Sequence, residues 1–327
     1  MEHSNSPGQP RVSIVTPAYK AADFLSVAVK SALTQTEQDF ELIIVDDCSP
    51  DGTRAVIAEL AAGDARIRPI YLDENRGAAH ALNRATDAAR GRWVALLDAD
   101  DWYAADRMQR LLDAGEAAGV AMVSDNQYLF DAKAGQTAGT AWPPRIGSRR
   151  LELDDFLVET DPTASFDLGM LKPVFRTDFI RERHVTYREE SRHGYDYLVL
   201  LDFFVAGGSA LLLEEPLYYY LQPYGTLSRQ WAQDGRKRYP FEHVKEMNDR
   251  VVAELRTTLP KLQLAALERR GQAMEALARF HQVTEHVRAG NPVAAIKAAA
   301  TAPGAFWKIA ARRGANFVSR LKARSLA

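Results

Sequence analysis

The residues of this chain best suited to chemistry sit at the ends of short apolar runs. Trp93-Val94-Ala95-Leu96-Leu97 ends in Asp98-Ala99-Asp100-Asp101. In a turn after a strand, the carboxylates of Asp98 and Asp100 can converge on one hard cation such as Mg²⁺ or Mn²⁺, whose oxygen shell a phosphate would complete. The plainer reading is a turn in which Asp101 caps the next helix. A second acidic pair, Asp46-Asp47, closes the run Glu41-Leu42-Ile43-Ile44-Val45. It precedes Cys48-Ser49-Pro50-Asp51-Gly52-Thr53, a turn and helix-cap signal. One carboxylate suffices for capping. The other is placed to accept a hydrogen bond from a pyrimidine N–H or a ribose hydroxyl.

Regular elements must hold these acids in place. β-Branched runs at 12–16, 41–46, 67–71, 93–97 and 120–124 predict buried strands, and Ala-rich segments at 21–35, 53–62, 78–89 and 105–118 predict the helices between them. That alternation implies right-handed crossovers and a three-layer α/β/α fold with a mostly parallel central sheet. Ligands of such sheets bind at the carboxyl ends of the strands. Pro17-Ala18-Tyr19, Asp46-Asp47, Asn75-Arg76-Gly77 and Asp98 to Asp101 all fall there.

Residues 126–170 are less regular, and the Gly/Pro-rich stretch 135–147 reads as a long loop. An apolar segment at 170–179 leads to Arg188-Glu189-Glu190 and a helix over 195–204. Tyr218-Tyr219-Tyr220 reads as an edge strand with core packing. Helical patterns then cover 241–257, 261–288 and 304–323, broken by Pro260, Gly290-Asn291-Pro292 and Pro303-Gly304. The expected plan is a disordered leader at 1–10, an α/β unit at 11–235 with halves 11–125 and 126–235, and a helical extension at 236–327, the boundary falling near 232–240.

Taken in order, V-S-I-V-T-P-A-Y at 12–19, L-I-I-V-D-D-C-S-P-D-G-T at 42–53, N-R-G-A-A-H-A-L-N at 75–83, G-R-W-V-A-L-L-D-A-D-D at 91–101 and D-R-M at 106–108 closely resemble the family 2 glycosyltransferases. The resemblance is strong over about the first 110 residues and continues more weakly to about residue 231. Gly169 to Arg176 and Tyr187-Arg188-Glu189-Glu190 are similar to the acceptor half of bacterial exopolysaccharide glucosyltransferases of the succinoglycan type.

The resemblance implies a GT-A fold and inverting transfer of a sugar from a nucleotide-sugar donor, held by residues 11–125, to an acceptor facing 126–235. Position by position, it implies that Pro17 and Tyr19 line a uracil pocket, Asp47 binds the base and Arg76 lies near the base or diphosphate. Asp98 would approach the ribose, and Asp100 would hold the Mn²⁺ or Mg²⁺ that bridges the phosphates of a UDP-sugar. The family's general base is an Asp at the start of a later helix, commonly within an E-D pair. The matching stretch here, His193-Gly194-Tyr195-Asp196-Tyr197, gives Asp196 with Tyr in place of Glu, and Asp202 as the fallback. As a plain structural acid, Asp196 would simply favour the helix dipole.

Composition narrows the classes. The 327 residues are 46% hydrophobic and 26% charged, which is ordinary globular usage rather than that of a disordered chain. A net charge of −2 gives no reason to expect a nucleic-acid partner. One cysteine, Cys48, excludes an intrachain disulfide and a Cys-based zinc site, and suits a reducing cytoplasm. The first ten residues lack the apolar core of a signal peptide. The apolar stretch from Leu198 to Leu213 is interrupted by Asp202 and Gly207-Gly208 and is shorter than the roughly 20 residues that span a bilayer. Neither GxGxxG nor GxxxxGK occurs, so dinucleotide and P-loop readings lack their phosphate-binding turns. The histidines of His281 and Glu285-His286 are five apart and share no helix face, which leaves a solvated helix there.

The Q-x-x-R-W motif of processive synthases is missing, although Ser228-Arg229-Gln230-Trp231 lies in the comparable region, and this favours addition of single sugars. The bland net charge also hides an asymmetry. Residues 1–285 carry −10, whereas the acid-free remainder carries +8. The expectation is a peripheral contact of a basic amphipathic tail, 304–327, with anionic lipid at the inner face of the plasma membrane, where a lipid-linked saccharide acceptor would be found. A core-packed helix with a solvated basic face is the other reading. Two further function classes stand beside the transferase. A nucleotidyltransferase making a nucleotide sugar would need a Gly-rich, basic loop after the first strand, where Pro17-Ala18-Tyr19 stands. A catalytically inactive sugar-nucleotide-binding protein would not need Asp47, Asp98, Asp100 and Asp196 together.

Overall fold

The computed structural model describes residues 9–143, 147–163, 167–222, 240–300 and Trp307. The leader up to residue 8, the boundary at 232–239, the motif at 228–231 and, Trp307 apart, the tail helix at 304–323 lie outside the described residues. The chain divides into two compact units, 1–156 with 168–238, and 157–167 with 239–327.

The first unit opens with β1 (Val12–Ala18), α1 (Leu25–Leu33), β2 (Phe40–Asp46), α2 (Thr53–Gly63), β3 (Ile67–Tyr71), α3 (Ala78–Ala88) and β4 (Trp93–Leu96). Val12, Ile14, Leu42, Ile43 and Ile44 are fully buried, so these strands are covered on both faces and read as continuous apolar runs rather than alternating ones. β1 pairs in parallel with β2 on one side and β4 on the other, and β2 pairs with β3. The chain therefore steps from β1 to β2 to β3 in one direction and then returns to the far side of β1. Right-handed crossovers put α1 and α2 on one face of the sheet and α3 on the other, and a crevice opens where the order reverses, at the carboxyl ends of β1 and β4. The close approach of β4 to β1 requires Gly91. A Cβ there would stand 2.4 Å from the Ser13 amide nitrogen, and the Gly91 N–H instead donates to Ser13 Oγ at 2.8 Å.

The chain continues through β5 (Trp102–Tyr103), α4 (Arg107–Ala118), β6 (Met122–Asp131), β7 (Gln136–Thr140), β8 (Ser148–Leu151), α5 (Leu153–Glu159), whose residues from 157 on belong to the second unit, β9 (Val174–Arg176), α6 (Thr177–Glu182), α7 (Tyr195–Val205) and β10 (Ala210–Gln222). Strand order is β3-β2-β1-β4-β9-β6-β10-β5. β9 runs antiparallel between β4 and β6, and β10 runs parallel to β6, so the sheet is mostly parallel with antiparallel insertions.

Two expectations are corrected. The stretch 135–147 is not one long loop: β6 runs on to Asp131 and turns at Gly135 (φ 64) into β7 (Gln136–Thr140). Gly135, read as a loop signal, supplies the positive φ of that hairpin turn. The tyrosine run is not on an edge strand. β10 pairs with β6 on one side and with β5 and β8 on the other, and Tyr218 is fully buried. A thirteen-residue strand is long enough to take different partners along its length.

The second unit contains α8 (Phe241–Leu255), α9 (Lys261–Arg288) and α10 (Pro292–Ala300). Its core is built on Val244, Met274, Ala276 and Leu277. The His281 ring stacks on Phe241 with centroids 5.0 Å apart, so this part of α9 is half-buried rather than solvated. Among the described residues, no helix is long and apolar enough to cross a membrane.

Candidate active site

At the end of β2 the two acids take different work. Asp46 is fully buried and accepts from the Ser49 N–H at 3.1 Å and from Arg54 Nε at 3.1 Å, which fixes the turn into α2. Asp47, 2% exposed, reaches the loop after β3. Its Oδ1 accepts from the Arg76 N–H at 2.9 Å, and its Oδ2 accepts from the Gly77 N–H and Asn75 Nδ2, both at 2.8 Å. Gly77 is the N-cap of α3 and has no side chain to offer, so Asp47 satisfies these N–H groups from a neighbouring strand. Burial pushes the Asp47 carboxyl up, against the N–H bonds from Arg76 and Gly77. Three of its roughly four acceptor sites are thereby occupied.

Pro17 lies at the end of β1, opposite Val45 of β2, and Tyr19 follows it half-buried. Lys20 Nζ stands 5.3 Å from the Tyr19 ring centroid. Arg76 is half-exposed, and its Nη2 donates to Glu189 Oε2 at 3.1 Å.

The turn after β4 is held from β10. Tyr218 Oη accepts from the Asp98 N–H at 3.2 Å and donates to Asp101 Oδ2 at 2.8 Å, while Asp101 Oδ1 accepts from the Leu221 N–H at 2.8 Å. Asp101 therefore does not cap the next helix as the sequence suggested. It is 1% exposed and binds the turn to the sheet. Burial pushes its carboxyl well above the usual range, and the neighbouring Asp100 and Asp98 add to the effect. The helix that follows is α4, whose N-cap position is Asp106.

Lys172, on the segment before β9, is the residue sequence reasoning overlooked. Its side chain is 6% exposed and its ammonium is ion-paired with Asp98. It also lies over the rings of Tyr218 and Tyr220, at 5.7 and 5.5 Å from their centroids. Burial would lower the pKa of this ammonium, but Asp98, Asp196 and Asp101 outweigh it and push the group well above its ordinary value. A lysine inside the apolar run Leu171 to Phe175 was the available signal, because lysines are almost never buried unpaired.

Asp196 sits in the first turn of α7, after Gly194 in the left-handed region at φ 75. Tyr195, in the position where the family resemblance implies Glu, is buried edge-to-face against Tyr187, 6.2 Å between centroids. The fallback Asp202 is engaged elsewhere. Arg188 Nε donates to its Oδ2 at 2.8 Å and Nη2 to its Oδ1 at 2.9 Å, a bidentate pair. One buried ammonium thus answers to acids from the strand-end turn and from α7 together.

Asp100 occupies the same turn, half-buried. Among the described residues, no group of three or more His, Cys, Asp or Glu is gathered that could hold a metal ion by itself. With Asp98 paired to Lys172 and Asp101 paired to Tyr218, the turn offers hard oxygen donors but too few for a complete shell. That donor set fits a divalent cation that arrives with diphosphate and water oxygens as its other ligands.

Residues 13–175 match the model of glycosyl transferase family 2. The chain is 35% identical over 223 residues to the succinoglycan biosynthesis protein ExoO of Rhizobium meliloti (strain 1021), a match covering 67% of this chain and 63% of that protein, less than two thirds of its length. Among solved structures, S. aureus TarS 1-349 in complex with UDP-GlcNAc superimposes with a TM-score of 0.64 at 15% identity, covering 88% of this chain and 90% of that one. The mannosyltransferase PcManGT from Pyrobaculum calidifontis, in complex with GDP-Man and Mn2+, gives 0.55 at 20% identity over 98% of this chain and 81% of that one. At these identities the likeness shows the fold, which is GT-A.

Proposed function

The chain carries a glycosyl transferase family 2 domain at residues 13–175, and from that premise we propose that it transfers a single hexose from a UDP-sugar to an acceptor hydroxyl, with inversion, in the synthesis of a bacterial surface polysaccharide. The observation that carries the reading is the shared ammonium of Lys172. It is paired with Asp98 at the end of β4, and Asp196 at the start of α7 adds to the pull that raises it, which supports a reading in which the donor edge of the sheet and the candidate base serve one site.

In this reading Pro17, Tyr19 and Asp47 with its clamped loop receive the uracil, Arg76 the diphosphate and Asp98 the ribose. Asp196 accepts the proton of the acceptor hydroxyl as that oxygen bonds to the anomeric carbon. The bond from that carbon to the diphosphate breaks, and UDP leaves with the bonding electrons. Mn²⁺ or Mg²⁺ bound at Asp100 would supply Lewis-acid stabilisation of the negative charge on the departing diphosphate.

Incubation with Mn²⁺ or Mg²⁺ and a panel of UDP-, GDP- and dTDP-sugars tests the donor directly. Binding of UDP-sugars is the expected result, and failure to bind any nucleotide sugar would sink the transferase reading. Asp100→Asn keeps the volume but removes a charged oxygen donor. Its UDP binding is expected to lose about tenfold or more of the enhancement that Mn²⁺ gives the wild type, measured as paired titrations with Mn²⁺ and with EDTA.

The acceptor proposed is a lipid-linked oligosaccharide at the inner face of the plasma membrane, reached through peripheral contact of residues 304–327. The acid-free, +8 sequence after Glu285 supports that contact by charge complementarity with anionic lipid. Deleting 304–327 is expected to abolish co-sedimentation with anionic liposomes at low salt. Equal sedimentation of the shortened and full chains would remove the membrane contact from the proposal.

A further inference from the structure

We propose that Glu189 is a positioning residue that holds the Arg76 guanidinium while no donor is bound and yields it to the diphosphate when the nucleotide arrives. The assignment rests on the nucleotide-sugar reading above and extends it to a residue that does not touch the donor.

The backbone at Arg76 cannot travel, because Asp47 grips the loop through Asn75, the Arg76 N–H and the Gly77 N–H. The guanidinium is held far more lightly. It is half-exposed and gives Glu189 one hydrogen bond, Nη2 to Oε2 at 3.1 Å, with the exposed Glu74 carboxylate at 4.0 Å from Nε. Glu189, in contrast, is fixed from the other side. Its Oε2 also meets His80 Nδ1 at 2.9 Å and its Oε1 accepts from Asn83 Nδ2 at 3.1 Å. Asn83 is itself clamped, donating to the Tyr187 carbonyl at 2.8 Å and accepting from the Tyr187 N–H at 2.9 Å.

The consequence is an asymmetry between the two partners. When Arg76 leaves, each oxygen of Glu189 keeps a donor, His80 on Oε2 and Asn83 on Oε1, so release strands no unpaired charge. Arg76 in turn exchanges a single bond to one carboxylate for the several oxygens of a diphosphate, an anion that a planar guanidinium grips in bidentate fashion. Burial works against ionisation of Glu189, yet the bonds from Asn83 and His80 hold its carboxyl below the usual range, so it remains a charged competitor at neutral pH.

The test is a double-mutant cycle read by calorimetric titration of UDP with Mn²⁺ into the wild-type chain, Glu189→Gln, Arg76→Ala and the double variant. Glu189→Gln is expected to bind UDP about two- to fivefold more tightly than the wild type, the range for release of one exposed ion pair, and this gain should vanish in the Arg76→Ala background. Unchanged or weaker UDP binding by Glu189→Gln would overturn the proposal. The same gain with and without Arg76 would also overturn it, since Glu189 would then act only as a distant repulsive charge. A wild type that binds no UDP would remove the donor reading and this inference together, whereas UDP binding with no coupling between the two sites removes the Glu189 assignment alone.

Discussion

Replacing Asp196 by Asn is expected to lower the rate of sugar transfer by about 10²- to 10⁴-fold, the usual contribution of a positioned general base, while UDP-sugar binding stays within a few-fold of the wild type. Asn matches the shape of the side chain but cannot take a proton from the acceptor hydroxyl. The wild-type pH profile follows from the same site. Burial pushes the Asp196 carboxyl up to about 6, against the pull of Lys172 and with a contribution from Asp98. A base acts when ionised, so transfer should rise as pH increases through about 6 and level off above it.

The fold should respond in the opposite sense. A carboxyl whose folded-state pKa is raised destabilises the native state once both folded and unfolded forms are ionised, which here means above about pH 6, and carries no such cost below about pH 4, where both are protonated. Asp196→Asn should therefore unfold at higher urea than the wild type at pH 8 and at the same urea at pH 3.5. An activity loss combined with a stability gain is what distinguishes a base kept in an unfavourable place from a structural acid. Full transfer by Asp196→Asn would remove the base assignment. Asp202 is a poor heir to it, because Arg188 holds both of its oxygens.

The second large effect lies beneath the site. Arg107 and Asp125 are an ion pair with both side chains 0% exposed, the Nη2 to Oδ1 distance being 2.7 Å. Arg107 also donates to the Lys172 carbonyl at 2.9 Å and lies over the rings of Tyr103 and Tyr218, while Asp125 Oδ2 accepts from the Leu217 N–H at 3.2 Å. The pair therefore anchors the segment that carries Lys172 and the strand that carries Tyr218. Arg107→Met leaves a buried carboxylate without its counter-ion and should cost about 3–5 kcal/mol of unfolding free energy, lowering Tm by about 10 °C for a unit of this size.

The double variant Arg107→Met/Asp125→Leu removes both charges and should recover much of that loss, since apolar replacements of a buried pair are often near neutral. Its recovered stability should not bring recovered activity, because Lys172 and Tyr218 would still have lost their anchors. A single variant as stable as the wild type, measured by thermal unfolding, would show that the pair contributes little to the fold.

Much of this was legible in the chain. The apolar runs ending at Ala18, Asp46 and Leu96 have a length and β-branched character that only strands covered on both faces require, and the helices between them follow 3.6-residue spacing. Local pattern therefore determined the parallel half of the sheet, its carboxyl edge and the acids on that edge. The order of motifs from Val12 to Met108 also pointed to the family whose model matches residues 13–175. Local pattern failed where the partner was distant. The glycines of 135–147 signal a turn equally in a loop or a hairpin, and three tyrosines do not announce that β6 and β5 will flank them.

What only the tertiary structure decided is how the acids are paired. Asp47 and Asp101 hold loops and strands through contacts 28 to 30 and 117 to 120 residues away in sequence, and Asp202 is taken by Arg188. Lys172 meets Asp98 across 74 residues and, against the larger effect of burial, pulls the Asp196 carboxyl down. Residue type and spacing fix which groups can ionise or accept a hydrogen bond. Which of them stay available for a substrate depends on burial and on the charges that other strands and helices bring within a few ångströms, because in a low-dielectric crevice those neighbours outweigh everything the local sequence encodes.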